Sequence, residues 1–147
     1  MNPLKRPVQA LAAAIALSCS LPLAASPADS HSECRESRLK GLFVFSASGF
    51  NIVDGIARPK AIVETIDFNG DGTLTTPGLS LSNNGFIVRL AQGNPGTYTL
   101  AADCRGSVAF ADGITFDFTA DLAGGVLWMI QTNPNTVFQG SAKRLSR

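Results

Sequence analysis

Ile114-Thr115-Phe116-Asp117-Phe118-Thr119-Ala120-Asp121-Leu122 is the stretch that decides the fold. Apolar residues fall at 114, 116, 118, 120 and 122, with a polar residue at each position between. A period of two suits a strand with one dry face and one wet face. Gly124-Gly125 follows, a turn signal, and then Val126-Leu127-Trp128-Met129-Ile130, apolar on both faces. Leu42-Phe43-Val44-Phe45 reads the same way, and strands of that kind are covered on two sides. Phe86, Val88 and Leu90 alternate less cleanly with Ile87, Arg89 and Ala91. Beyond residue 58 no segment carries a helical period.

Outward from this strand the punctuation is that of hairpins. Asn-Gly-Asp-Gly (69–72), Asn-Asn-Gly (83–85), Gly-Asn-Pro-Gly (93–96), Asp-Gly (112–113) and Asn-Pro-Asn (133–135) separate the apolar runs. Such residues tolerate left-handed backbone or preset a turn, so each marks a reversal. Nine strands are predicted, at 39–46, 59–68, 73–81, 85–91, 96–101, 105–110, 113–122, 125–132 and 136–144. A meander of that length removes its edges by closing into a barrel. Antiparallel closure needs an even number, so the expectation is an all-β barrel of about eight strands, with one strand merged or peripheral. Pro77-Gly78 makes 73–81 the candidate for a bulged strand. Gly49 to Arg58 reads as the one long connection, its Phe50, Ile52, Val53 and Ile56 capping a barrel end.

The start of the chain reads as an address. Lys5 and Arg6 precede an apolar run from Val8 to Leu17, and small residues follow, the pattern of a signal peptide over 1–28 cleaved after Ala25 or Ala28. Pro22 and the polar-leaning Ser18-Cys19-Ser20 interrupt a run that would need about 20 apolar residues to span a bilayer. Acylation at Cys19, as in a lipoprotein, is the alternative. Removal of 28 residues leaves 119, with ten cationic and eleven acidic side chains and a net charge of −1. A periplasmic or secreted domain of that size builds one core, and no other segment is long enough to span a membrane. Cys34 and Cys104, 70 positions apart, then form a disulfide in an oxidising compartment.

The order Cys34, Leu39-Lys40-Gly41, Asp67-Phe68-Asn69-Gly70-Asp71-Gly72, Gly96-Thr97-Tyr98-Thr99-Leu100 and Asp103-Cys104-Arg105-Gly106 resembles a group of small exported bacterial proteins. These are calycin-type barrels related to the allene oxide cyclase fold, most without a known activity. The resemblance covers about residues 34–144 and implies the same cysteine pairing. Its strongest element is Gly96-x-Tyr98 with the Asp103-Cys104-x-Gly106 after it. Arg105 stands where such proteins more often carry Thr. No stretch matches a catalytic motif of the plant cyclases, so no residue inherits a role from them.

Composition excludes several chemistries. A formal charge of +1 over 147 residues argues against a polyanion-wrapping protein, and aromatic-basic interleaving is missing. One histidine, His31, and no Cys-x-x-Cys remove most zinc and histidine-based designs. No cofactor is implied. Asp67-x-Asn69-x-Asp71-Gly72 opens like a calcium loop, but Gly78 stands where the bidentate Glu belongs and no helix is expected beside it. A polar hairpin gives the same letters.

Glu64 is the candidate acid. It is in phase with Ile62, Ile66 and Phe68, so an inward face would strip its carboxyl of water and raise its pKa. The alternatives are that this face points outward, or that Glu64 pairs with a cross-strand Arg89 or Lys60. Tyr98 or Arg89 would polarise a substrate oxygen beside it. Trp128, Tyr98, Phe43, Phe45, Phe116 and Phe118 line a ligand cavity or fill the bore, since eight strands enclose room for side chains or one small ligand. Arg35, Arg38 and Lys40 would meet Lys143, Arg144 and Arg147 if the first and last strands pair, making a basic patch or a solvated end. Three functions follow: an exported barrel binding an apolar or amphipathic small molecule, a cyclase- or isomerase-like enzyme confining a flexible apolar substrate, or an interaction protein without a ligand.

Overall fold

The computed structural model describes residues 33–91 and 93–145. The predicted leader, its alternative acylation site Cys19, His31 and Arg147 lie outside the described residues. Among the described residues the chain makes one 3-10 turn, Glu36–Arg38, and nine strands. These are β1 (Lys40–Val53), β2 (Ile56–Asn69), β3 (Thr73–Asn83), β4 (Phe86–Leu90), β5 (Pro95–Leu100), β6 (Arg105–Phe110), β7 (Thr115–Ala120), β8 (Val126–Gln131) and β9 (Thr136–Arg144). Eight of them close a ring in the order β1-β2-β3-β5-β6-β7-β8-β9, every pairing antiparallel, while β4 pairs with β3 alone. The barrel is therefore eight-stranded, with β4 as the peripheral ninth.

The exclusion of β4 begins at the expected weak point of β3. Thr65 pairs with Gly78 but Asp67 pairs with Thr75, so β3 uses three steps where β2 uses two. Pro77, which has no N–H for a ladder, sits in that bulge. Before it, Thr73–Thr75 pair with β5; after it, Leu79–Asn83 pair with β4. The bulge also flips the dry face, from Leu74 and Thr76 to Leu79 and Leu81. As a result the ring is laddered on all sides at one end and has an unladdered seam between β4 and the β6–β7 turn at the other.

The stretch 49–58 is a hairpin and not a connecting cap. Asp54 and Gly55 both have positive φ (52° and 74°), the geometry of a two-residue turn whose twist matches its strands. β1 and β2 pair continuously up to Val53 opposite Ile56. Phe50, Val53 and Ile56 are exposed on this ribbon. Leu122, expected to end the 113–122 strand, lies beyond β7 and is also exposed.

One end of the bore is filled. Phe43, Phe68 and Tyr98 stack edge to face at 5.1 and 5.0 Å, an arrangement favoured by the ring quadrupoles. Leu39, fully buried, closes the end from the segment before β1. The Tyr98 hydroxyl donates to the Glu36 carbonyl at 3.0 Å, tying the 3-10 turn to the plug. Cys34 and Cys104 are joined, with their Cα atoms 5.0 Å apart, so the plug is bonded to the β5–β6 turn. No helix of the described residues is long and apolar enough to cross a membrane.

Candidate functional site

The other end of the bore is open inside. A cavity of about 260 Å³ is lined by Phe45, Ile62, Leu79, Leu81, Val88, Leu90, Phe110, Ile114, Phe116 and Phe138, with Lys60, Glu64, Asp112 and Gln131 as its charged and amide groups. Strand alternation places them: Lys60, Ile62 and Glu64 succeed one another on the inner face of β2. Val88 and Leu90 come from β4, so the peripheral strand serves as the wall over the seam. Gly93 and Asn94 complete that wall. Phe45 and Phe116, 5.4 Å apart and edge to face, mark the floor above the aromatic plug.

Glu64 faces this space and is only 7% exposed. Burial lifts its carboxyl to a pKa of about 7, a hydrogen bond with the Thr76 side chain opposes that shift, and the charge of Asp112 adds to it. Lys60 is held from the opposite direction. Its Nζ donates to Gln131 Oε1 at 3.1 Å and lies 4.4 Å from the Phe138 ring centre. Gln131 Nε2 donates to Asn133 Oδ1 at 3.0 Å; that oxygen also accepts the Thr115 N–H, and Asn133 Nδ2 donates to the Gly113 carbonyl. The backbone thus fixes Asn133, Asn133 fixes which end of the Gln131 amide faces Lys60, and Gln131 fixes the ammonium. Burial lowers the Lys60 pKa, against the raising effect of Asp112.

Several expected site residues lie elsewhere. Trp128 is 56% exposed on the outer wall, because β8 turns Leu127, Met129 and Gln131 inward. Phe43 and Phe118 are buried inside the barrel but are not among the residues lining the cavity, whereas Phe45 and Phe116 are. Tyr98 belongs to the plug, where its hydroxyl is spent on backbone carbonyls. Arg89 is paired with Ser80 on the far side of the β3–β4 ribbon and is exposed, so it does not join Glu64. It lines instead a broad, open groove on the outer wall together with Val63, Ile87 and Trp128. Lys60, Gln131, Asp112, Val88 and Leu90 were not anticipated as site residues. Lys60 was legible through its phase with Glu64; Gln131 carried no signal, being a lone amide at the end of an apolar run.

The polar hairpin at 69–72 uses its own groups. Asp71 Oδ1 accepts the Thr73 N–H at 3.0 Å and the Thr73 hydroxyl at 2.6 Å, and those bonds hold the carboxyl below its usual range. Asn69 Nδ2 donates to the same hydroxyl, and Asp67 lies on the outward phase of β2. No group of three or more His, Cys, Asp or Glu suited to a metal occurs among the described residues.

The first and last strands of the ring do pair, with Phe43 opposite Arg144, and this brings Arg144 beside Arg38 and Lys40, three of the six cations expected there. Arg144 donates to the carbonyls of Arg38, Lys40 and Gly124, and its guanidinium lies 4.7 Å from the Phe43 ring centre. Arg38 donates to the Leu122 carbonyl at 2.5 Å. These two guanidinia pin the plugged end of the barrel.

The fold and site together define a closed antiparallel eight-stranded barrel, plugged at one end and hollow at the other, with an amine and a carboxyl in the hollow. No family model, curated protein or solved structure matches this chain.

Proposed function

We propose that this chain is an exported barrel that binds one small apolar or amphipathic molecule in its lumen. The observation that supports the reading is the division of the bore: an aromatic plug below, and above it a cavity of about 260 Å³ with mainly apolar walls. That size falls just under the range of about 300–1,000 Å³ usual for drug-sized ligands, which suits a compact guest. A side wall that is hydrogen-bonded on one edge only, β4, gives a route in without opening the ring. The Cys34–Cys104 bond and the leader-like first 28 residues support export, and the closed antiparallel barrel is the feature shared with the calycin-type proteins that the sequence resembles.

The test is native mass spectrometry of gently purified protein, followed by reloading with neutral apolar compounds of about ten heavy atoms. One equivalent retained by the wild type and lost in Leu81→Trp, which fills the cavity, is the expected result. A bare mass throughout, with no uptake by either protein, would reject ligand binding.

A second reading is favoured by Glu64 alone. A carboxyl with a pKa of about 7 at the floor of an apolar cavity is poised to give or take a proton at neutral pH. An enzyme isomerising or cyclising a confined apolar substrate would use it as the acid or base. Binding that survives Glu64→Gln while turnover is lost would select this reading over simple carriage.

A further inference from the structure

Lys60 is unusual among the three lysines of the described residues. Lys40 and Lys143 are exposed, whereas the Lys60 side chain enters the cavity and its nitrogen is aimed by a chain of contacts. Gln131, 8% exposed, presents its carbonyl oxygen to that nitrogen only because Asn133 holds the amide the other way round. Anchoring of this kind uses one of the three Nζ hydrogens and fixes the position of the nitrogen at the cavity wall. A lysine that served only to keep a surface wet would not need it.

We propose that Lys60 is the attachment point for a small, mostly apolar aldehyde or ketone, held in the lumen as an imine with the Lys60 nitrogen. The inference rests on the cavity being the ligand site and adds the chemical class of the guest. Three features favour a neutral carbonyl compound over a carboxylate. Glu64 and Asp112 line the same space, so an anionic guest would meet two acidic groups against one amine. The walls from Phe45, Phe110, Phe116 and Phe138 offer an apolar body dispersion contacts and no hydrogen bonds. A protonated imine keeps the positive charge where the Phe138 face, the Gln131 oxygen and the Asp112 field already accommodate one.

The chemistry balances without a further reagent. The nitrogen gives up a proton and adds its lone pair to the carbonyl carbon, forming a carbinolamine. The C–O bond then breaks, the hydroxyl leaves as water with the proton returned to it, and an iminium remains. Ammonium plus carbonyl has become iminium plus water. Asp112, the acidic residue whose charge acts on Lys60 across the same cavity, is the group placed to hold that proton meanwhile. Burial, which favours the free amine over the ammonium, makes Lys60 the better nucleophile of the three.

The experiment uses 3-phenylpropanal with sodium cyanoborohydride, which reduces the imine to a stable secondary amine, and 3-phenylpropan-1-ol as the matched compound lacking the carbonyl. Peptide mapping is expected to place the phenylpropyl group on Lys60 about tenfold or more ahead of Lys40 and Lys143. Excess alcohol should slow labelling at Lys60 alone, and Lys60→Arg should remove that adduct. Alcohol retained in native mass spectra with no preference for Lys60 would overturn the imine and leave the cavity as a non-covalent site. Absence of both alcohol binding and selective labelling would overturn the imine and the ligand site together.

Discussion

Glu64 stands directly opposite Phe45 across the β1–β2 ladder, both side chains inside the barrel. A carboxyl facing an aromatic ring at the floor of a cavity is poorly hydrated in the folded state and fully hydrated in the unfolded one. The difference fixes how the protein responds to pH. Its folded pKa, about 7, lies above the ordinary 4.5, so between these values the native state binds more protons than the unfolded state. Stability therefore falls as pH rises through this window and levels off above it. The shift corresponds to about 3 kcal/mol. Glu64→Gln, uncharged at every pH, should match the wild type near pH 4 and exceed it by about 3 kcal/mol above pH 8. Urea unfolding across pH measures this, and parallel curves for the two proteins would show that Glu64 is solvated.

Much of this arrangement was legible in the sequence. The alternation at Ile114–Ala120 gave a strand with the dry face where β7 has it, and turn residues placed all nine strands. Pro77-Gly78 marked the bulge. Three things were hidden, each for a physical reason. Asp54-Gly55 is a strong hairpin signal, but the apolar residues around it suggested a cap; they are exposed because the ribbon runs past the barrel end. Trp128 lies in a run that is apolar on both faces, so period two could not say which face was dry. The strand left out of the ring depended on where β3 exchanges β5 for β4, a matter of register between distant segments. Glu64 was found because a single charge in phase with Ile62, Ile66 and Phe68 stands out against them.

Strand curvature supplies a second prediction. A Cβ on Gly140 would lie 2.1 Å from the Ser46 carbonyl oxygen and 2.6 Å from the Ala47 Cα, both backbone-anchored atoms that cannot rotate away. Here β9 approaches β1 too closely for any side chain. Gly140→Ala should cost about 3 kcal/mol, at the upper end of ordinary overpacking. The change should appear as a lower urea midpoint, and an unchanged midpoint would mean that β1 and β9 are farther apart than 2.1 Å implies.

The disulfide closes a loop of 70 residues between the plug and the β5–β6 turn. In the chain-entropy view such a link stabilises by about 4 kcal/mol, chiefly by restricting the unfolded chain. Reduction, or paired Cys34→Ser and Cys104→Ser substitution, should lower the unfolding free energy by about that amount. The cavity end lies away from the bond, so retention of the 3-phenylpropan-1-ol probe by the folded fraction should be unchanged. Loss of probe binding before unfolding would show that the plug and the cavity are coupled.

Arg144 provides the sharpest test of how the plugged end is held. One guanidinium bonds the carbonyls of Arg38, Lys40 and Gly124, three points on two segments distant in sequence, and lies over the Phe43 face. The planar fork can reach several acceptors at once while stacking on a ring, whereas an ammonium is a single compact charge. Arg144→Lys keeps the charge and should still lose about 2 kcal/mol, close to the loss from Arg144→Ala. If charge alone mattered, lysine would restore most of the stability and the alanine variant would be far the weaker. Guanidinium chloride unfolding at high salt separates the cases, because screening removes the electrostatic share and leaves the geometry of the fork.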